Sequence, residues 1–148
     1  MAESGAPERL RLFVYGTMLE GERDHGLLAG AEFLGRVRTL PAYTLVDLGP
    51  FPALVAPGTV SVEGELYLID RQRRFTIDVK KQWPSLFQRI FVTLADGSQA
   101  EAYAMSDEQV RGKRRLKLGS WRERFAPRPR PDAGGPMAEW ARTRFQRG

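Results

Sequence analysis

The sequence predicts an α+β domain, a small closed or partly closed mixed β-barrel flanked by a few short helices. Three observations carry this. Short segments rich in Val, Phe, Tyr, Leu and Thr recur along residues 10–105, broken by Gly and Pro; no more than one or two segments read as helix; and one hairpin signal joins the last two strands. At 148 residues and 42% hydrophobic content, the chain can bury one self-sufficient core.

The elements follow in order. Residues 10–15, LRLFVY, alternate long apolar side chains with others and read as a strand ending at Gly16. The charged stretch from Glu20 to Leu28 reads as a loop running into a short helix. Ala31–Thr39 and Tyr43–Leu48 read as two strands divided by Pro41, which lacks the N–H a ladder needs. Gly49, Pro50 and Pro52 then predict a turn around Phe51. The clearest strand is 60–69, VSVEGELYLI, with Val62, Gly64, Leu66 and Leu68 on a core face. Glu63, Glu65, Tyr67 and Ile69 form its other face, amphiphilic enough to line a wet cavity. Residues 71–82 are expected to be helical and anchored by Phe75 and Val79 at i and i+4, with Trp83 and Pro84 ending the helix. Strands at 89–94 and 101–105 are joined through Ala95, Asp96 and Gly97.

Residues 1–125 are expected to form the domain, and residues 126–148 a basic tail. The tail's Pro/Gly/Arg-rich stretch 126–136 reads as a linker, and MAEWARTRFQRG after it as a short amphipathic helix. Residues 111–148 hold 12 Lys/Arg against three acids, whereas residues 1–110 are mildly acidic. Such a tail can bind nucleic acid or an acidic partner; the simpler expectation is a solvated extension.

The chain has no cysteine, which excludes disulfides, thiolate metal sites and a cysteine nucleophile. Its single histidine, His25, cannot build a metal cluster and is expected to cap or pack a helix start. No metal or cofactor is expected. No uninterrupted 18-residue apolar run occurs, so no membrane association is expected and the protein is read as soluble and cytoplasmic.

Five features stand in one order: VYGTM at 14–18; Gly21 with His25 and Leu27-Leu28; FPALV at 51–55; VEGELY at 62–67; and GSWR at 119–122. This order resembles the γ-glutamylcyclotransferase (AIG2-like) family in its compact bacterial form, over roughly residues 10–125. The resemblance implies a small β-barrel whose active members convert a γ-glutamyl amine into 5-oxoproline and the free amine. That reaction needs a base for the α-ammonium, a holder for the α-carboxylate and donors for a developing oxyanion. By resemblance Tyr15, Gly16, Thr17 and Met18 hold the ligand through backbone N–H groups, with Gly16 allowing close approach. Glu65 is implied to orient the ligand or support the structure, and Tyr103 to line the pocket or pack the core. Trp121, with Arg122, is expected to anchor the C-terminal segment.

Active members carry their base in a pattern like LDxxEGxPxxYxR. Residues 77–89 match it at Asp78, Pro84, Phe87 and Arg89, but Lys81 stands at the glutamate and Gln82 at the glycine. A one-residue slip puts Gln82 at the base position, and an amide accepts no proton at neutral pH. Beside Lys80, Lys81 reads as a solvated cation; facing the pocket, it would pair with a ligand carboxylate or phosphate. Glu63 is the candidate substitute base. Two readings stay open, a cyclotransferase with an unusual base and a carboxylate-binding or altered member, with the basic tail as a third.

Overall fold

A computed structural model of the chain describes residues 9–125. Among the described residues, the strands β1 (Arg9–Val14), β2 (Glu32–Arg38), β3 (Tyr43–Asp47), β4 (Pro52–Val60), β5 (Glu63–Asp70), β6 (Gln88–Thr93), β7 (Gln99–Ala104) and β8 (Arg114–Arg115) form one mixed sheet in the order β2-β5-β1-β7-β4-β3-β8, with β6 on the second side of β7. β1 (Arg9–Val14) lies antiparallel to β5 (Glu63–Asp70), and β5 carries β2 (Glu32–Arg38) on its other edge. β6 (Gln88–Thr93) and β7 (Gln99–Ala104) form the expected hairpin. The ladder stays open, the partly closed form of the expected barrel. Beyond β2 a single bridge, Thr39 to Leu94, links the chain to the end of β6. No helix among the described residues is long and apolar enough to cross a membrane.

The other edge of β7 is shared. β1 meets it in parallel at Leu12 and Glu101, whereas β4 (Pro52–Val60) meets it in parallel at Leu54 and Ala104. The sheet therefore forks where β1 and β4 leave β7, and VYGTM sits at the fork. β3 (Tyr43–Asp47) pairs with β4 and with the two-residue β8 (Arg114–Arg115).

β4 corrects the expectation of no more than a turn near residue 52. Proline is tolerated at a strand's first residue and at bulges, and both occur here. Pro52 heads β4, while Tyr43 pairs with Val60 and Thr44 with Val55, so that residues 56–59, including Pro57, are looped out of register.

The helix α1 (Arg71–Lys80) forms where expected, N-capped by Asp70, whose side chain accepts from the Arg73 N–H at 2.8 Å. Its anchoring face differs. Phe75 and Val79 are 68% and 64% exposed, while Ile77 and Asp78 are buried. The inward stripe is largely polar. Arg73 donates to the carbonyls of Leu27 and Ala29, both at 2.7 Å, and Arg74 to both carboxylate oxygens of Glu101 at 2.9 and 2.7 Å. An apolar count cannot see a face built this way.

β5 departs from its expected two-faced character as well. Glu65, Tyr67 and Ile69 are as buried as Val62 and Leu66, because β5 lies between β1 and β2 and the loop after β1 covers Glu65. Trp121 is buried in a terminal 3-10 turn, Trp121–Phe125. That segment is tied down by Gly119, whose carbonyl accepts from the Glu63 N–H, and by Arg122 and Arg124, which bond to Glu20 and Glu22. The linker and helix expected within 126–148 lie outside the described residues.

Candidate functional site

A cleft opens at the fork. Its wall is built from residues 13–18 of β1 and the following turn, with Pro52 from β4, Tyr103 from β7 and Lys81 from the C-cap of α1. Thus Tyr15, Gly16, Thr17, Met18, Tyr103 and Lys81 are brought together, whereas Glu63 and Glu65 do not line this cleft.

A forked sheet leaves backbone groups that no strand can pair, and burial makes such groups costly. Tyr15 closes the fork. Its buried hydroxyl donates to the Tyr103 carbonyl and accepts from the Leu54 N–H at 3.0 Å. Burial pushes the Tyr15 phenol far above its ordinary range, so it stays a donor. Gly16 is required by packing: a Cβ there would sit 2.5 Å from Cγ and 2.7 Å from Cδ of Pro52. The proline ring, rather than a ligand, fills the space that the absent side chain leaves.

The carbonyls of the turn are spent internally. Gly16 accepts from Leu19 at 3.0 Å, Thr17 from Asp24 at 2.8 Å, and Met18 from Nδ1 of His25 at 2.9 Å. His25 thereby opens the short 3-10 turn His25–Leu28 and pins the loop, the packing role expected of it. The N–H groups of Gly16, Thr17 and Met18 donate to no acceptor among the described residues. Consecutive free N–H groups at a tight turn are what holds an oxygen anion without a charged side chain.

Lys81 is not the solvated surface cation that its neighbour Lys80 suggests. It lies one turn beyond Ile77 and Asp78, on the inward face of α1, and is only partly exposed. Its Nζ is 4.8 Å from the centre of the buried Phe87 ring, a cation–π contact that favours the charged form. Burial acts the other way and lowers the Lys81 ammonium to about 8, with Asp24 opposing the fall and Arg23 and Lys80 adding to it. Past Lys81 the backbone turns through Gln82, whose φ of 54° is unusual for a residue with a side chain.

Behind the wall, the Tyr103 hydroxyl donates to Oδ1 of Asp78, and Nε of Arg89 lies 3.7 Å from the same oxygen. Burial, and then the Asp78 carboxylate, push the Tyr103 phenol well up, so it presents no base to the cleft. Arg89 stacks 3.9 Å over the Trp83 ring. The sequence pattern contains Asp78 and Arg89 but gives no sign that Asp78 is spent on Tyr103.

The two acidic candidates are occupied elsewhere. Oε1 of Glu65 accepts from the Glu20 N–H and the Tyr67 hydroxyl, both at 3.0 Å, which holds the loop after β1 against the sheet. Glu63 lies at the start of β5 with its carboxylate 3.5 Å from Arg38, and it is absent from the cleft's lining.

Comparison with known proteins agrees with this architecture. The family model "Gamma-glutamyl cyclotransferase, AIG2-like" matches residues 12–123. A Vibrio cholerae protein bearing the gamma-glutamylcyclotransferase name is 41% identical over 78 residues, 53% of this chain and 67% of that one. Human gamma-glutamylaminecyclotransferase is 38% identical over 87 residues, 53% of this chain and 57% of its own length. The match to the human protein thus spans little more than half of it. A Pyrococcus horikoshii protein of solved structure superposes with a TM-score of 0.65 at 28% identity, covering 77% of this chain and 91% of its own. With its sheet, its turn and three quarters of its length matched by one family model, the chain belongs to the gamma-glutamyl cyclotransferase, AIG2-like family.

Proposed function

We propose that the chain holds a γ-glutamyl-type small molecule by its carboxylate and that, at neutral pH, the cleft binds without cyclising. The observation that carries this is the composition of the wall: free N–H groups at residues 16–18, the amine of Lys81, and no carboxylate. An α-ammonium needs a nearby base to become a nucleophile. A lysine at about 8 is mostly protonated at pH 7 and repels that ammonium instead.

The register that puts Lys81 at the family's glutamate is supported by Gln82. The glutamate of the pattern is followed by glycine, and Gln82 carries the left-handed backbone that glycine adopts most readily. A one-residue slip would take this match away.

One observation favours a second reading, in which neutral Lys81 is itself the base: its lowered pKa places the neutral form within reach above about pH 8. Product formation would then rise with pH through that value. The test is to incubate the protein at pH 7 with a panel of γ-glutamyl amines, following 5-oxoproline and ligand-induced thermal stabilisation together. Stabilisation without product is the expected result; turnover at pH 7 contradicts the proposal.

A further inference from the structure

Away from the cleft, one edge of the sheet carries charge of a single sign. β8 ends the strand order and pairs with β3, so no strand covers its outer edge among the described residues. The chain around it alternates with a period of two. Arg114 turns toward Asp47, 3.8 Å away, and Leu116 is fully buried, whereas Lys113, Arg115 and Lys117 are exposed. These three cations form one row, spaced about 6.6 Å apart along the strand. Few acids answer them. Asp107 approaches Arg115 at 4.0 Å in an exposed pair of little worth, and Glu123 is spent on the Leu118 N–H at 2.7 Å. Lys113 and Lys117 make no ion pair among the described residues. A single lysine is enough to protect an edge from stray pairing; a row of one sign has more charge than that task needs, and the sequence from residue 126 onward adds five arginines against two acids.

An aromatic ring stands beside the row. Arg114 donates to the Arg124 carbonyl at 3.5 Å, which brings the terminal 3-10 turn against β8. There Phe125 is 76% exposed, with the Arg124 guanidinium 4.1 Å from its ring centre. We infer that the β8 edge binds single-stranded nucleic acid, with phosphates on Lys113, Arg115 and Lys117 and a base stacked on Phe125. A basic track joined to an exposed aromatic ring holds a strand without reading its sequence, because every base has a flat face to stack. A duplex offers the row its phosphates but keeps its bases from Phe125. An acidic peptide satisfies the cations and gives that ring no planar partner. None of the four residues lines the cleft, so the inference stands apart from the carboxylate-holding proposal.

Fluorescence anisotropy of a labelled oligothymidine with the full chain, at salt from about 50 to about 200 mM, tests this. The triple variant Lys113→Gln, Arg115→Gln, Lys117→Gln should weaken binding at least about tenfold at about 100 mM salt. It should also flatten the slope of log affinity against log salt by about 2, since three phosphates contribute about 0.7 each on a single strand. Phe125→Ala should weaken binding about tenfold and leave the slope unchanged, because stacking releases no counterions. All four positions are at the surface, and thermal unfolding verifies that each variant is folded. A duplex of the same length and polyglutamate should each bind at least about tenfold more weakly than the single strand. Either of them binding as tightly as the oligothymidine, affinity unchanged in either variant, or no binding of the oligothymidine at the lowest salt overturns the inference.

Discussion

The hydroxyl of Tyr103 donates to Oδ1 of Asp78, which ties the wall of the cleft to the last turn of α1. Lys81 follows Asp78 by three residues, at the C-cap of the same helix. Asp78→Ala leaves the Tyr103 hydroxyl without its buried acceptor and Arg89 without its ion-pair partner. Loss of about 3 kcal/mol of stability is expected, measured by urea denaturation.

Lys81 itself should destabilise the fold. Its folded-state pKa of about 8 lies below the ordinary lysine value, so the unfolded chain binds more protons between those two points. Stability contributed by this group therefore rises as pH increases from about 8 toward 10.5, and the cost of burying the charge is felt in full below about 8. Lys81→Met should gain about 1–2 kcal/mol at pH 7, a value reduced for partial exposure, and should flatten the alkaline rise. Thermal unfolding across pH 6.5–10.5 measures both. Loss of carboxylate affinity in the same variant would mark a residue kept at the expense of stability.

Gly16→Ala separates packing from ligand access. The new methyl group would overlap the Pro52 ring, and overpacking of this kind costs about 1–3 kcal/mol. The midpoint of denaturation should fall even in the absence of any ligand.

Glu65→Ala tests the ligand-orienting role that family resemblance suggests. Glu65 is 2% exposed and its Oε1 is occupied by Glu20 and Tyr67. Removing it should cost about 1–3 kcal/mol through those two orphaned donors, while carboxylate affinity, measured below the unfolding range, stays within about twofold.

On α1 the two apolar positions should prove dispensable. Phe75→Ser and Val79→Ser are expected to change stability by about 0.5 kcal/mol or less, whereas Ile77→Ala should cost about 2–5 kcal/mol. Denaturant midpoints of the three variants decide between the faces.

Much of the fold was readable because its strands follow simple rules. β1, β5 and the hairpin of β6 and β7 show alternation or a two-residue turn signal, and each appears within a few residues of its expected bounds. β4 was not readable as a strand, since two prolines in nine residues argue against one until the bulge at 56–59 is known. The face of α1 was misread for a different reason. Its contacts are made by Arg73, Arg74 and Asp78 with partners 25 to 46 residues away, and periodicity of apolar residues carries no trace of them. At the site, the turn that walls the cleft was legible from VYGTM, but Lys81 was not placed, because its direction is set by that polar face. The commitment of Glu65 to the loop was equally hidden, as it needs the chain from residue 16 to 20 to fold over β5.

The central claim is that the charge at residue 81 decides whether this cleft binds or cyclises. Restoring a carboxylate with Lys81→Glu and measuring 5-oxoproline release from γ-glutamyl amines at pH 7 tests it most directly. Release by the variant, at a rate about two orders of magnitude or more above that of the unaltered chain, is the expected result. Equal release by both proteins, or release by the unaltered chain that Lys81→Glu abolishes, would contradict it.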